Sequence, residues 1–285
     1  MPALPGPSLI EAPRGRIPVP PIDQKWHERL NVLNVSLLLF IVAVFSSVGV
    51  LRGSGRDLDY AANIRRFLAN FFPPDFSVTG QTLTGLWETF QIAVMATAFA
   101  IVVSIPIAMA GAQTLSPRWL VFISRLIMNG VRTIPSLIWA LLAVAIVGAN
   151  PLAGVIGLTF YSVGYLGKFF SDAFESVHID VARALRAAGA RTIQAFQYGM
   201  WPHAKPLVWS YSLWMLEYNI RAASIVGIVG AGGVGLQLHI YAEYYQWDKF
   251  ATVLLFMFLL VSALDLLGER VRNQIVRKVV SAKVT

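Results

Sequence analysis

Long apolar runs alternate with short polar stretches along this chain, and the runs set its architecture. Val32–Leu51 carries no charge and is long enough to cross ~30 Å of hydrocarbon as a helix. Five further spans are predicted over about Thr84–Ala112, Leu120–Val147, Leu152–Phe170, Leu207–Val229 and Phe250–Gly268. Glu88 stands at the start of the second span and Pro106 near its end; the third contains Arg125, Arg132 and Pro135. The fourth carries Gly154, Gly157, Gly164 and Gly167, small residues that let helices approach closely. The predicted fold class is therefore all-α, a polytopic membrane protein with six transmembrane helices.

The polar stretches between these runs also have patterns. Residues 1–31 are rich in proline and end in mixed charge, which predicts an irregular arm followed by a short interfacial helix. Apolar spacing between Leu58 and Phe72 predicts an amphipathic surface helix. In the long polar stretch from Asp172 to Pro206, Val181, Ala184, Leu185 and Ala188 recur at helical spacing, with Arg183, Arg186 and Arg191 largely between them. Gly189 is expected to break this helix, a second short one to run over about Ala190–Gly199, and Pro202 to mark the return to the membrane. Taken alone, such a stretch reads either as a solvated loop or as a docking element.

Composition narrows the class. Of 285 residues, 56% are hydrophobic and 13% charged, about half the charged share of a soluble domain. There are no cysteines and four histidines, and no nucleophile constellation or metal-ligand cluster is legible, so neither catalytic nor metal residues are expected. The first ~30 residues are polar rather than apolar, so no cleavable signal peptide is expected. The net charge of +8 fits basic cytoplasmic loops better than a nucleic-acid partner. Six spans put both termini on the side of the 172–206 loop. That side holds Arg14, Arg16, Lys25, Arg29, Arg118, Arg183, Arg186, Arg191, Lys205, Arg270, Arg272, Arg277, Lys278 and Lys283, against Arg52, Arg56, Arg65, Arg66 and Lys249 on the other. The excess places both termini and the loop in the cytoplasm.

Two features inside the apolar runs bear on chemistry. Glu217 and Arg221 lie near the middle of the fifth span, four residues apart, and are expected to pair with each other. Arg132 has no acid in its own helix, and Asn129 lies one turn earlier; charge at that depth is expected to face a cavity or a partner. Gly230-Ala-Gly-Gly-Val-Gly235 matches a dinucleotide fingerprint only formally, because it follows a membrane helix and not a strand. It lacks the Lys and Ser/Thr of a phosphate-binding loop, so no ATP site is expected in this chain. What remains is a tight backbone turn at Gly230, Gly232, Gly233 and Gly235, suited to an anion or a gate.

Two sets of motifs carry a resemblance. Ala184, Gly189 and Pro202 are spaced as in the Glu-Ala-Ala loop of bacterial ABC importer permeases, with Arg183, Leu185 and Trp201 standing where that family has Glu, Ala and Leu. Glu217-Tyr-Asn219-Ile-Arg221-Ala-Ala-Ser224, leading into the glycine turn, closely resembles the phosphonate branch of these permeases, as does Arg132-Thr-Ile-Pro135-Ser-Leu-Ile-Trp139-Ala. The resemblance covers about residues 80–272. It implies a type I importer permease core there, with five transmembrane helices and the 172–206 loop as the ATPase-coupling element through Arg183, Ala184, Gly189, Ala190 and Pro202. Around it lie a cytoplasmic arm (1–31), a first span with an external amphipathic segment (32–79) and a basic cytoplasmic tail (273–285). It further implies a second copy of the chain, cytoplasmic ATPase subunits carrying ATP and Mg, and an external substrate-binding protein, all besides membrane lipid. The expected cargo is phosphonate or a related oxyanion such as phosphate or phosphite, passed by Arg132, Arg221, Asn129, Ser224, Asn219 and Glu217. Two alternatives stand beside it: the same architecture importing an amino acid such as methionine, and an ion-coupled secondary transporter, which would show repeat symmetry and broken helices.

Overall fold

The computed structural model describes residues 32–52 and 59–284. The expected N-terminal arm and its Arg14, Arg16, Lys25 and Arg29 lie outside these residues, as does Arg56. The chain divides into two units, one ending at Tyr60 and one running from Ala61. In the first unit, α1 (Val32–Ser46) is apolar on every side, the pattern of a lipid-facing span, and a short 3₁₀ turn (Val48–Arg52) prolongs it.

Among its described residues the regular elements of the second unit are all helices. The amphipathic α2 (Tyr60–Phe71) leads to α3 (Thr79–Gly111). Then come α4 (Arg118–Thr133), α5 (Ser136–Val147) and α6 (Pro151–Glu175), whose first turn Asn150 caps by accepting from the N–H groups of Leu152 and Ala153. Helix α6 is the central post, packed on α3, α4, α5 and α9 (Trp201–Val226). Its glycines explain how four neighbours fit: a side chain at Gly157 would meet the Ala140 backbone at 2.6 Å, and one at Gly167 would meet Met128 Sδ at 2.6 Å. Leu158, Leu166, Phe170 and Phe174 fill the core between these contacts.

Three elements depart from the sequence pattern. The third span is broken: α4 and α5 meet at an angle of 87°. Pro135 has no N–H to donate and forces Ile134 out of the helical region, to φ −89° and ψ 122°. Between the glycine turn and Asp248, where no element is predicted from the sequence, lies a further helix, α10 (Val234–Glu243), anchored by buried Val234 and Tyr241 and bent 49° from the helix before it. The helix of the sixth span does not stop with the apolar run at Gly268: α11 runs unbroken from Trp247 to Val284 and takes the basic tail with it. Among the described residues four helices are long and apolar enough to cross a membrane, or six when each bent pair counts as one span.

The polar loop folds as a helix, a turn and a second helix. Helix α7 (Ile179–Ala187) ends in a glycine cap: Gly189 has φ +93° and donates to Arg186 O, while Ala190 N–H donates to Leu185 O. The short α8 (Thr192–Ala195) is not separate from the span that follows. It runs through a wide π turn (Phe196–Met200) directly into α9. Pro202 explains the widening, since it cannot donate to the carbonyl four residues back, and the Trp201 N–H reaches Phe196 O instead.

Candidate functional site

Helix α9 presents Glu217 and Arg221 to α11. Arg272 Nη1 lies 2.7 Å from Glu217 Oε1, and Arg221 Nη1 lies 3.0 Å from Asp265 Oδ1. The expected pair within α9, Glu217 with Arg221, therefore does not form; each residue finds its opposite charge across the helix interface. Asp265 and Arg272 are seven residues apart, two turns on one face of α11. Gly268 lies between them, and a Cβ there would run into Glu217 Oε1. The Glu217 side chain is 10% exposed, and the Arg272 guanidinium compensates its charge there. Asp265 was findable from sequence, as an acid inside an apolar run.

Arg132 stands at the end of α4, where the chain turns at Pro135. Its Nη2 donates to Asn129 Oδ1 at 3.3 Å, as spacing suggested, and its guanidinium lies 5.4 Å from the centre of the Tyr165 ring. Tyr165 belongs to a ribbon of aromatic rings that the sequence reading missed. Tyr161, Tyr165 and Phe169 repeat every four residues on α6, and Tyr211, Trp214 and Tyr218 share one face of α9. Across the seam Tyr161 stacks on Tyr218 at 5.2 Å and Phe169 on Tyr211 at 5.1 Å. Within α6 the Tyr161 ring also packs on that of Tyr165, with centres 4.9 Å apart. Near the other end of the ribbon, a cavity of about 250 Å³ is lined by Phe169, Ser210, Tyr211, Trp214 and Arg272.

Asn219 and Ser224 lie elsewhere. Asn219 is fully buried, donating to Thr97 Oγ1 and Ser162 Oγ at 2.9 Å each, and so joins α3, α6 and α9. Ser224 donates within its own helix to Ile220 O at 3.3 Å. Both side chains are buried, unlike those of Arg132 and Arg221. The glycine turn is also packed. Gly230, Gly232 and Gly233 take φ of +86°, +82° and +75°, and Val234 N–H donates to Thr89 Oγ1 at 2.8 Å. A side chain at Gly235 would strike Ser224 O, and one at Gly232 would meet Pro151 and Glu88. The turn thus wedges between α3 and α6, with at least one of its N–H groups already engaged.

Of the residues expected to couple, Ala190 is half-buried and Pro202 lies in the first turn of α9. Arg183, Ala184 and Gly189 are exposed, as is Pro202, and Arg183 reaches Asp180 at 3.7 Å. The root of the loop is fixed by Glu175, which accepts from Arg125 Nη2 at 2.6 Å and from Gln113 N–H at 2.7 Å. Among the described residues no three acids or histidines gather as a metal site.

Comparison with known proteins agrees with this architecture. The family model described as binding-protein-dependent transport system inner membrane component matches residues 100–280. The chain is 36% identical over 241 residues to the phosphite transport system permease protein PtxC of Stutzerimonas stutzeri, covering 84% of this chain and 87% of that one. It is 36% identical over 207 residues to the putative phosphite transport system permease protein HtxC of the same organism, covering 72% and 73%. It is 30% identical to the phosphate-import permease protein PhnE of Mycolicibacterium smegmatis, covering 86% of this chain and 43% of that one. Among solved structures, the inward-facing MetNI methionine ABC transporter aligns with 70% of this chain and 99% of its own, at TM-score 0.63 and 22% identity. An amino acid ABC transporter aligns with 77% and 100%, at TM-score 0.58 and 17% identity. At these identities the structural likeness speaks for the fold alone, which is that of type I importer permeases.

Proposed function

Because this chain belongs to the family of binding-protein-dependent transport system inner membrane components, we propose that it is the permease subunit of an ATP-driven importer for phosphonate or a related phosphorus oxyanion. The observation that carries the reading is the 36% identity to a phosphite permease across 84% of the chain. An external binding protein delivers the anion, and two copies of the chain form the pathway between them. Cytoplasmic ATPase subunits, which hold ATP and Mg, dock on the 172–206 loop through Arg183, Ala184, Gly189, Ala190 and Pro202. The excess of Lys and Arg on the side of that loop supports an orientation in the inner membrane with both termini cytoplasmic.

In this reading Arg132 and Arg221 set the positive field of the pathway, with Asn129 as a neutral donor beside Arg132. Glu217 offsets part of the field, so the anion is held weakly enough to leave. Asn219 and Ser224 hold the wall, and Gly230, Gly232, Gly233 and Gly235 shape the outer end. The test is ATP-driven uptake in liposomes by the complex with its ATPase and binding protein, offered phosphite, methylphosphonate, phosphate and methionine separately. Uptake of at least one phosphorus oxyanion and not of methionine is expected. Uptake of methionine alone, or ATP-independent uptake driven by an ion gradient, overturns the reading.

A further inference from the structure

The aromatic ribbon is badly suited to lipid. Tyr161, Tyr165 and Tyr218 pack ring on ring well inside α6 and α9, and each carries a hydroxyl to which hydrocarbon offers no hydrogen bond. The Arg132 guanidinium lies over Tyr165, and Arg272, whose Nη1 is held by Glu217, stands in the wall of the cavity with its remaining N–H donors to offer. The ribbon spans about 12 Å along α6, from Tyr161 to Phe169. Two kinds of surface therefore face one seam. Guanidinium and hydroxyl groups bind oxygens, whereas the ring faces of Phe169 and Trp214 bind apolar groups and leave a buried oxygen without a partner.

We propose that this seam handles the cargo directly, and that it favours phosphorus oxyanions bearing one apolar substituent, P–H or P–C, over phosphate. The proposal rests on the reading of the chain as a phosphorus oxyanion permease. In phosphite or an alkylphosphonate three oxygens meet Arg272, Ser210 and Tyr211 while the hydrogen or alkyl group lies on a ring. Phosphate has oxygen at all four positions and presses one against carbon. Leaving one polar group unpaired corresponds to about a tenfold preference or more. A lipid phosphodiester offers related oxygens, so the experiment separates the two sources.

The permease is assembled with its ATPase in nanodiscs of zwitterionic lipid, without the binding protein, which would add its own signal. Aromatic protons are saturated, and magnetisation transfer is read on the P–H proton of phosphite and the methyl protons of methylphosphonate. Transfer is expected in the wild type and in Trp214→Phe, which keeps a ring, and a severalfold loss in Trp214→Leu and in Tyr211→Leu. Phosphate should need about tenfold more than phosphite to displace the signal. Equal transfer in Trp214→Leu, or equal competition by phosphate, overturns the proposal. So does a signal that anionic lipid abolishes, with that lipid retained by the wild type and not by Trp214→Leu, because the seam then binds headgroups. Basal ATP hydrolysis and elution volume check that each variant assembles. If wild-type liposomes import no phosphorus oxyanion, the functional reading itself falls. If they do, and Trp214→Leu imports with unchanged selectivity, only the seam proposal falls.

Discussion

At the scale of single residues, the two ion pairs between α9 and α11 are unequal. Glu217 is nearly buried, so Arg272→Leu strands a carboxylate and costs about 3–5 kcal/mol. Arg221 and Asp265 are 42% and 48% exposed, where such a pair is worth about 1 kcal/mol or less. Thermal unfolding of the purified complex should therefore fall markedly in Arg272→Leu and little in Arg221→Gln; equal losses would contradict this ranking. Gly268→Leu should behave like Arg272→Leu, because it expels Glu217 from its slot. Arg132 makes only a 3.3 Å contact to Asn129 and a ring contact, so Arg132→Gln should leave assembly and basal ATP hydrolysis intact while uptake drops severalfold. Unchanged uptake, or loss that simply follows failed assembly, would remove Arg132 from the pathway. Sequence showed that Glu217 and Arg221 share a face, but spacing along one helix reports only what that helix can reach. Each charge met a better-placed opposite charge on α11, which spacing alone does not reveal.

At the scale of elements, the spans were legible because apolar length is a direct physical requirement of the bilayer. The cap at Gly189 was legible for a similar reason, since glycine takes φ +93° without a Cβ penalty. The break at Pro135 was not, although the proline was visible, because a proline inside an apolar run kinks some helices and ends others. Helix α10 was hidden because, at 10 residues, it is too short to read as a span; its anchors, Val234 and Tyr241, are buried only once α3 and α11 are in place. The aromatic ribbon was hidden too, because two ordinary helical repeats become one feature only when α6 and α9 pack together. For the loop, Gly189→Trp should lower ATP-driven uptake while leaving the spans folded. No atom lies within 4 Å of the missing Cβ, so the change disturbs the left-handed cap, at about 1–2 kcal/mol, and the surface offered to the ATPase. Wild-type complex yield and uptake in that variant would detach Gly189 from coupling.

At the scale of the molecule, the proposed orientation puts the turn between α10 and α11 outside. Tyr244→Cys, at a position 68% exposed in a chain without cysteine, should react with an impermeant thiol reagent added outside intact cells. Labelling only after the cytoplasmic face is opened would invert the topology. The wide turn at Phe196–Met200 bears on how the loop is aimed. A π turn holds about one residue more than the α-helical turn it replaces, and each residue advances a helix by ~100°. The turn is therefore a phase shifter between α9 and everything hung on α8. Deleting one residue from 196–200 would leave span and loop each intact, yet swing the loop by ~100° about the α9 axis. The bearing of the loop is set by residue count at this joint, independently of what either segment is made of.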